Sequence, residues 1–285
     1  MTFLHAVAEH AFLQRALLTG LLASVACGVV GTYVVARRIT SIAGAIAHSV
    51  LGGLGAARYL AVVAGWTWVT PLEGALAAAL VSALVIGMVS LRAKQREDTV
   101  IGAVWAIGMA AGVVFIARTP GYAEDLMSYL FGNILMVAAR DLWLIAALDV
   151  VVVALGLVFY RQFLAVCFDA EFASLRGVRT GVAYLTLLGL TALTVVLLST
   201  VVGIVMVIAL VTLPVAVAGQ FAKTLAQTMV LATLVSVTLT AAGLALSYGP
   251  DLPAGATIIL LAGGVYLAVT AARALAARLR RASES

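Results

Sequence analysis

His48 sits in the run AGAIAHSVLGGLG (residues 43–55), where every neighbour is apolar, small or a glycine. Asp149 sits in an equally apolar run, LWLIAALDVVVVALGLV (142–158). An ionisable group in such surroundings is expensive, which makes each a candidate functional site. Imidazole nitrogen suits borderline divalent cations such as zinc. Gly44 lies one helical turn before His48 and so shares its face. With Gly52 and Gly53, it belongs to a stripe of residues with little side-chain bulk, where another backbone or a second copy of the chain can approach. One ligand beside such a stripe suits a path that passes a dehydrated cation briefly. Tight tetrahedral capture needs more ligands and opposes release. Two readings of His48 stand open, a transient ligand or a side chain hydrogen-bonded across helices. Asp149 calls for a partner cation, a water-filled path, a transported ion or burial against another helix.

The elements that must position these residues follow from composition. Of 285 residues, 64% are hydrophobic and only 10% charged, with a mean hydropathy of +1.18; soluble domains balance at roughly 45–50% and about 25%. Apolar stretches at 16–36, 40–62, 71–91, 99–118, 142–160, 182–199, 201–220, 228–248 and 254–276 can each cross a hydrocarbon core of about 30 Å. None alternates with period two, so they are helices rather than barrel strands. The predicted fold class is all-α: a polytopic membrane helical bundle of 8–9 transmembrane helices, forming a single domain over 1–285. The stretch 126–138 is too short to span and reads as a short re-entrant helix dipping in from the outer side.

Lys and Arg set the orientation, because inner connections carry the excess. Placing 92–98 (RAKQRED) inside leaves only Arg15, Arg58, Arg118 and Arg140 outside, of 17 basic residues, with the N-terminus outside as well; eight spans with the N-terminus inside is the nearest rival. Glu9, Glu73, Glu124, Asp125, Asp141 and Asp251 give the outer side a mildly acidic face that favours cation access. The net charge of +5 is scattered among connections, so no nucleic-acid partner is expected. Cys27 and Cys167 make no disulfide framework or zinc knuckle and are read as inert. The start lacks a basic n-region, and its first apolar run is longer than a signal core, so that run is expected to stay.

Two inner connections look like structures. In CFDAEFASLRGVRTG (167–181), Phe168, Phe172 and Leu175 recur at three- and four-residue steps. Asp169 and Glu171 stand near the front, Arg176 near the back, and Gly177 supplies a stop. This predicts a short amphipathic helix at the inner surface over about 168–178. GQFAKTLAQT (219–228) is a weaker case of the same kind. There is no GxxxxGK[ST] loop, no HExxH, no serine–histidine–aspartate set and no pair of intramembrane carboxylates, so nothing points to an enzyme. If ATP energises transport, a separate subunit hydrolyses it, and 168–178 is where that subunit would push.

GVVGTYVVARRITSIAGAIAHSVLGG (28–53), REDTVIG (96–102), DLMSYLFGNIL (125–135), FDAEFASLRGV (168–178), VVGIVMVIALVTLPVAVA (201–218) and DLPAGATIILLAG (251–263) stand in one order along the chain. In that order the chain resembles the metal-ion branch of ATP-binding-cassette importer permeases, which serve zinc and manganese uptake in bacteria. The resemblance implies a multi-pass protein of the bacterial cytoplasmic membrane, a homodimer with the type II importer fold, among lipids. It also implies a pair of cytoplasmic ATPase subunits bound through 168–178 and a periplasmic or surface-tethered metal-binding protein. Zinc or manganese is then cargo, with no cofactor held permanently. Asp169, Glu171 and Gly177 fall at coupling positions of that family, beside Phe168, Phe172 and Arg176. His48 falls on the histidine of its GDALAHS motif, whose aspartate is Gly44 here. That departure leaves Asp149 as a source of charge from another helix, and keeps a second cargo class, a metal chelate such as a siderophore or cobalamin, in view. An ion-coupled secondary carrier is the remaining alternative; such carriers show paired halves and several intramembrane charges, and this chain has neither.

Overall fold

The computed structural model describes residues 3–66, 68–92, 97–120, 132, 134–250 and 252–284. Twelve helices follow one another among them: α1 (Phe3–Glu9), α2 (Ala11–Ala36), α3 (Thr40–Val62), α4 (Pro71–Arg92), α5 (Glu97–Arg118), α6 (Ala139–Val158), α7 (Tyr160–Phe168), α8 (Ala170–Leu175), α9 (Thr180–Val202), α10 (Ile204–Ala218), α11 (Leu225–Tyr248) and α12 (Ala254–Glu284). A 3₁₀ turn covers Ile134–Met136. The re-entrant helix expected at 126–138 falls mostly outside the described residues, as do Lys94, Arg96, Glu124, Asp125 and Asp251.

Eight of these helices are long and apolar enough to cross a membrane, against nine stretches read from sequence. The ninth, α10, has 15 residues, about 22 Å at helical rise, short of a core of about 30 Å. The cause is Gly203: with φ 88° and ψ 153°, it turns the chain from α9 straight into α10 without a loop, a backbone conformation that glycine adopts freely. Most of α10, from Ile204 to Ala218, is buried.

Packing fixes which ends lie together. α2 and α11 are antiparallel, with Gly20 against Thr240 and Gly28 against Thr233. α3 and α5 are parallel, with Gly52 against Gly108 and Gly55 against Gly112. The end of α4 meets the start of α9, where Tyr184 Oη donates to Ser90 Oγ at 3.2 Å. The turn 219–224 meets α12 through Gln220, whose amide donates to Thr270 at 3.0 Å, and through Arg273 over the Phe221 ring. So 37–39, 159–179, 219–224 and the later part of α12 share one face. α1, whose Phe3 packs on Tyr248, lies at the other with 63–66, 68–70, 249–250 and 252–253. This is the division the basic residues predict, and the basic face is the inner one.

Local chemistry explains several ends. Thr70 and Glu73 exchange hydrogen bonds at the start of α4, at 2.8 and 3.4 Å, a capping box. At the start of α6, the Ala138 N–H donates to Asp141 Oδ2 at 3.0 Å. Two of the acids expected to form an outer acidic face are thus engaged as helix caps. Arg38 takes a left-handed φ of 62° in the tight turn between α2 and α3.

Three expectations are corrected. The inner segment 168–178 is not one helix: α7 ends at Phe168, Asp169 adopts extended geometry, and α8 spans only Ala170–Leu175. Residues 219–224 form a turn rather than an amphipathic helix. Cys167, read as the first residue of an inner connection, is a buried residue at the end of α7.

Candidate functional site

α3 lies between α4 and α5, and the glycines on its faces make that possible. A Cβ on Gly52 would stand 2.7 Å from the Gly108 carbonyl oxygen of α5, and one on Gly53 would stand 2.1 Å from the Gly74 carbonyl oxygen of α4. Expected to line a path, Gly52 and Gly53 instead give up their side chains to helix contact within the chain. Gly44 differs: its nearest neighbour would be the Trp105 ring, at an ordinary 3.6 Å.

His48 shares that face. Its imidazole, half-buried, lies flat on the indole of Trp105, with centroids 4.4 Å apart and planes 12° from parallel. Trp105 Nε1–H donates to Met109 Sδ at 3.2 Å, which fixes the indole. Next to His48, Ser49 Oγ donates to the Ile46 carbonyl at 2.7 Å and accepts from Ser82 Oγ of α4 at 2.9 Å. The hydroxyl pair ties α3 to α4 while the rings tie it to α5. Among the described residues, no hydrogen bond engages either His48 ring nitrogen. Stacking uses the ring face and leaves the in-plane nitrogens clear, so that whichever one the tautomer leaves unprotonated can act as a ligand.

Asp149 lies elsewhere. It is 7% exposed on α6, against Ala26 and Cys27 of α2. Neither carboxylate oxygen reaches hydrogen-bond geometry with a described group. Asp149 does not approach the Gly44 position, whose neighbour is Trp105. Among the described residues, no three His, Cys, Asp or Glu side chains gather as a metal site. The structure therefore pairs His48 with Trp105, not with Asp149.

Sequence reasoning missed Trp105 and Met109. The available signal was a tryptophan well inside an apolar helix, whereas tryptophans favour the membrane boundary. That it stacks on His48 depends on the α3–α5 register, which no local pattern encodes.

On the inner face, Asp169 caps α8, its Oδ1 accepting from the Phe172 N–H at 2.9 Å. Glu171 follows in the first turn. Arg176 stacks its guanidinium over Phe172 at 4.7 Å, and Gly177, at φ 81°, releases the chain toward α9. Phe168 is 72% and Leu175 86% exposed, with Phe172 half-exposed. Three large apolar side chains thus stand clear of the bundle on a segment rigidly braced from behind. The brace includes Cys167, whose Sγ donates to the Tyr33 carbonyl at 3.8 Å. Burial pushes its thiol up to about 11, against the opposite pull of Arg37.

Comparison with known proteins agrees with this architecture. The chain is 43% identical over 259 residues to an uncharacterized membrane protein of Synechocystis, covering 91% of this chain and 90% of that one. It is 32% identical to the manganese transport system membrane protein MntC of Halalkalibacterium halodurans, covering 93% and 88%. Its fold superposes on PsaBC from Streptococcus pneumoniae, solved in complex with Fab, with a TM-score of 0.81 at 27% identity, covering 94% of each chain. The ABC 3 transport family matches residues 9–273. With its helical bundle, braced inner segment and near-complete match, the chain belongs to the ABC 3 transport family, as a membrane-spanning subunit.

Proposed function

We propose that the chain is the permease subunit of an ATP-driven importer of divalent metal ions, manganese or zinc, with His48 as a transient ligand on the path. The carrying observation is the His48 imidazole: half-buried in a membrane helix, held by its face on Trp105, with no hydrogen bond to either nitrogen among the described residues. The MntC relative, named for manganese transport, supports this cargo class, as imidazole does for borderline cations. One imidazole cannot hold such an ion tightly, so the ion passes on. A homodimer would bring a second His48. Phe168, Phe172 and Leu175 would receive cytoplasmic ATPase subunits, and a metal-binding protein would deliver the ion to the outer face.

The test is uptake of radioactive manganese and of zinc into vesicles holding the chain with its ATPase. His48→Ala should cut uptake about tenfold or more, the lower range for losing a metal-site interaction, with the complex intact. Unchanged uptake kinetics would remove His48 from the path. A metal chelate is a second reading, favoured by glycine at 44, where the adjoining wall is an aromatic ring rather than a carboxylate. It predicts uptake of the chelated metal and none of the free ion.

A further inference from the structure

Beyond transport, the inner face carries a cavity of about 340 Å³ at the end of the coupling segment, whose Arg176 and Gly177 help to line it. It lies between the start of α7, the 176–179 connection and the first turns of α9. Arg176 and Arg179 line it on the cytoplasmic side with Gln162, while Phe159, Val182 and Thr186 line it toward the membrane. Among the described residues, no acidic side chain lines it. Arg176 is steadied over the Phe172 ring. Thr186 satisfies its own hydroxyl by donating to the Val182 carbonyl at 2.9 Å, so that wall behaves as apolar. Val182 is 60% exposed on the flank of a membrane-crossing helix.

We propose that this cavity binds an anionic phospholipid of the inner leaflet, its phosphate between Arg176 and Arg179 and its glycerol and upper acyl chain against Phe159 and Val182. The gradient from two guanidiniums to an apolar wall, over about two helical turns from Arg179 to Thr186, matches the gradient of such a lipid. Guanidinium forks recognise phosphate oxygens in pairs, and basic pockets on the cytoplasmic side of membrane helices attract anionic headgroups. Through Arg176 the lipid would touch the segment that carries Phe168 and Phe172, which links leaflet composition to that segment's posture. The proposal does not rest on the cargo.

The purified chain is titrated with phosphatidylglycerol or phosphatidylcholine in detergent, and bound lipid is counted by native mass spectrometry. One phosphatidylglycerol should bind in preference to phosphatidylcholine. Arg179→Gln should weaken it about fivefold, the loss for one basic residue at an anionic surface. Val182→Trp, which fills the apolar half without changing charge, should weaken it at least as much. Arg140→Gln, at the opposite face, should change nothing. Equal binding of the two lipids overturns the proposal, as does undiminished binding in Arg179→Gln. So does displacement of phosphatidylglycerol by millimolar inorganic phosphate, which would mark an anion site without the lipid. If Val182→Trp fails to fold, Arg179→Gln with its Arg140→Gln control decides alone.

Discussion

The imidazole of His48 and the indole of Trp105 lie parallel, 4.4 Å between centroids, on two helices joined by facing glycines. The indole sets where the ring nitrogens point. Trp105→Phe keeps a flat surface and should leave metal uptake within about twofold. Trp105→Ala removes the support and should raise the KM for uptake about tenfold, as losses around a metal ligand do. Identical kinetics in both variants would show that the stack orients nothing.

The glycine contacts give a stability prediction. Gly53→Ala places a methyl carbon 2.1 Å from the Gly74 carbonyl oxygen and should cost about 2 kcal/mol, since a packed interface must open to admit it. Gly263→Ala, with nothing within 4 Å of the added carbon, should be neutral or slightly stabilising through helix propensity. Thermal unfolding in detergent measures both, and equal midpoints would refute the contact.

Asp149 is set apart from His48, so it gives a contrasting prediction. Asp149→Asn should leave manganese and zinc uptake unchanged and the unfolding midpoint the same or higher, because it removes a buried charge that no described cation neutralises from between α2 and α6. A collapse of uptake at normal protein abundance would return Asp149 to the path.

Asp169 can be tested through its cap. Asp169→Ala removes the acceptor for the Phe172 N–H and should destabilise α8 by about 1 kcal/mol. Asp169→Asn, an equally good cap, should behave as the parent. ATP-driven uptake measured beside ATPase activity separates them: hydrolysis should persist in Asp169→Ala while transport per ATP falls. Equal coupling in the two variants would sink the link between this cap and transport.

Cys167 supplies a pH dependence. Its thiol titrates near 11 in the folded chain against an ordinary 9.0, so between those values the folded form holds a proton that the unfolded form releases. Stability from this group is intact below about 9 and declines as pH rises through that window. Maleimide should not label folded Cys167 at pH 7, and labelling should rise only toward pH 11. Prompt labelling at neutral pH would contradict the buried site.

Much of this was legible in sequence, for identifiable reasons. Hydropathy is a bulk property of long windows, so the crossing helices emerge within a few residues, and Lys and Arg mark the inner face because no packing detail enters that rule. The spacing of Phe168, Phe172 and Leu175 announced an exposed apolar face. What stayed hidden depends on single backbone angles or on distant partners. The break at Asp169 needs its extended φ and ψ, and the shortness of α10 needs the conformation of Gly203. Trp105 reaches His48 only through the register of two helices 57 residues apart at that contact. Glycines 52 and 53 read equally well as a channel lining or as a seam, and only the neighbours' coordinates separate those meanings.

The seam between α3 and α5 is keyed rather than smooth. Gly108 sits over the Ser49 backbone and Gly112 over Leu51, whose side chain and carbonyl both press into the notch. A slip of one residue would drive a β-carbon into a carbonyl, so neither rod can shear along the other. A tilt of α5 would then carry His48 bodily with it, as one paired plank.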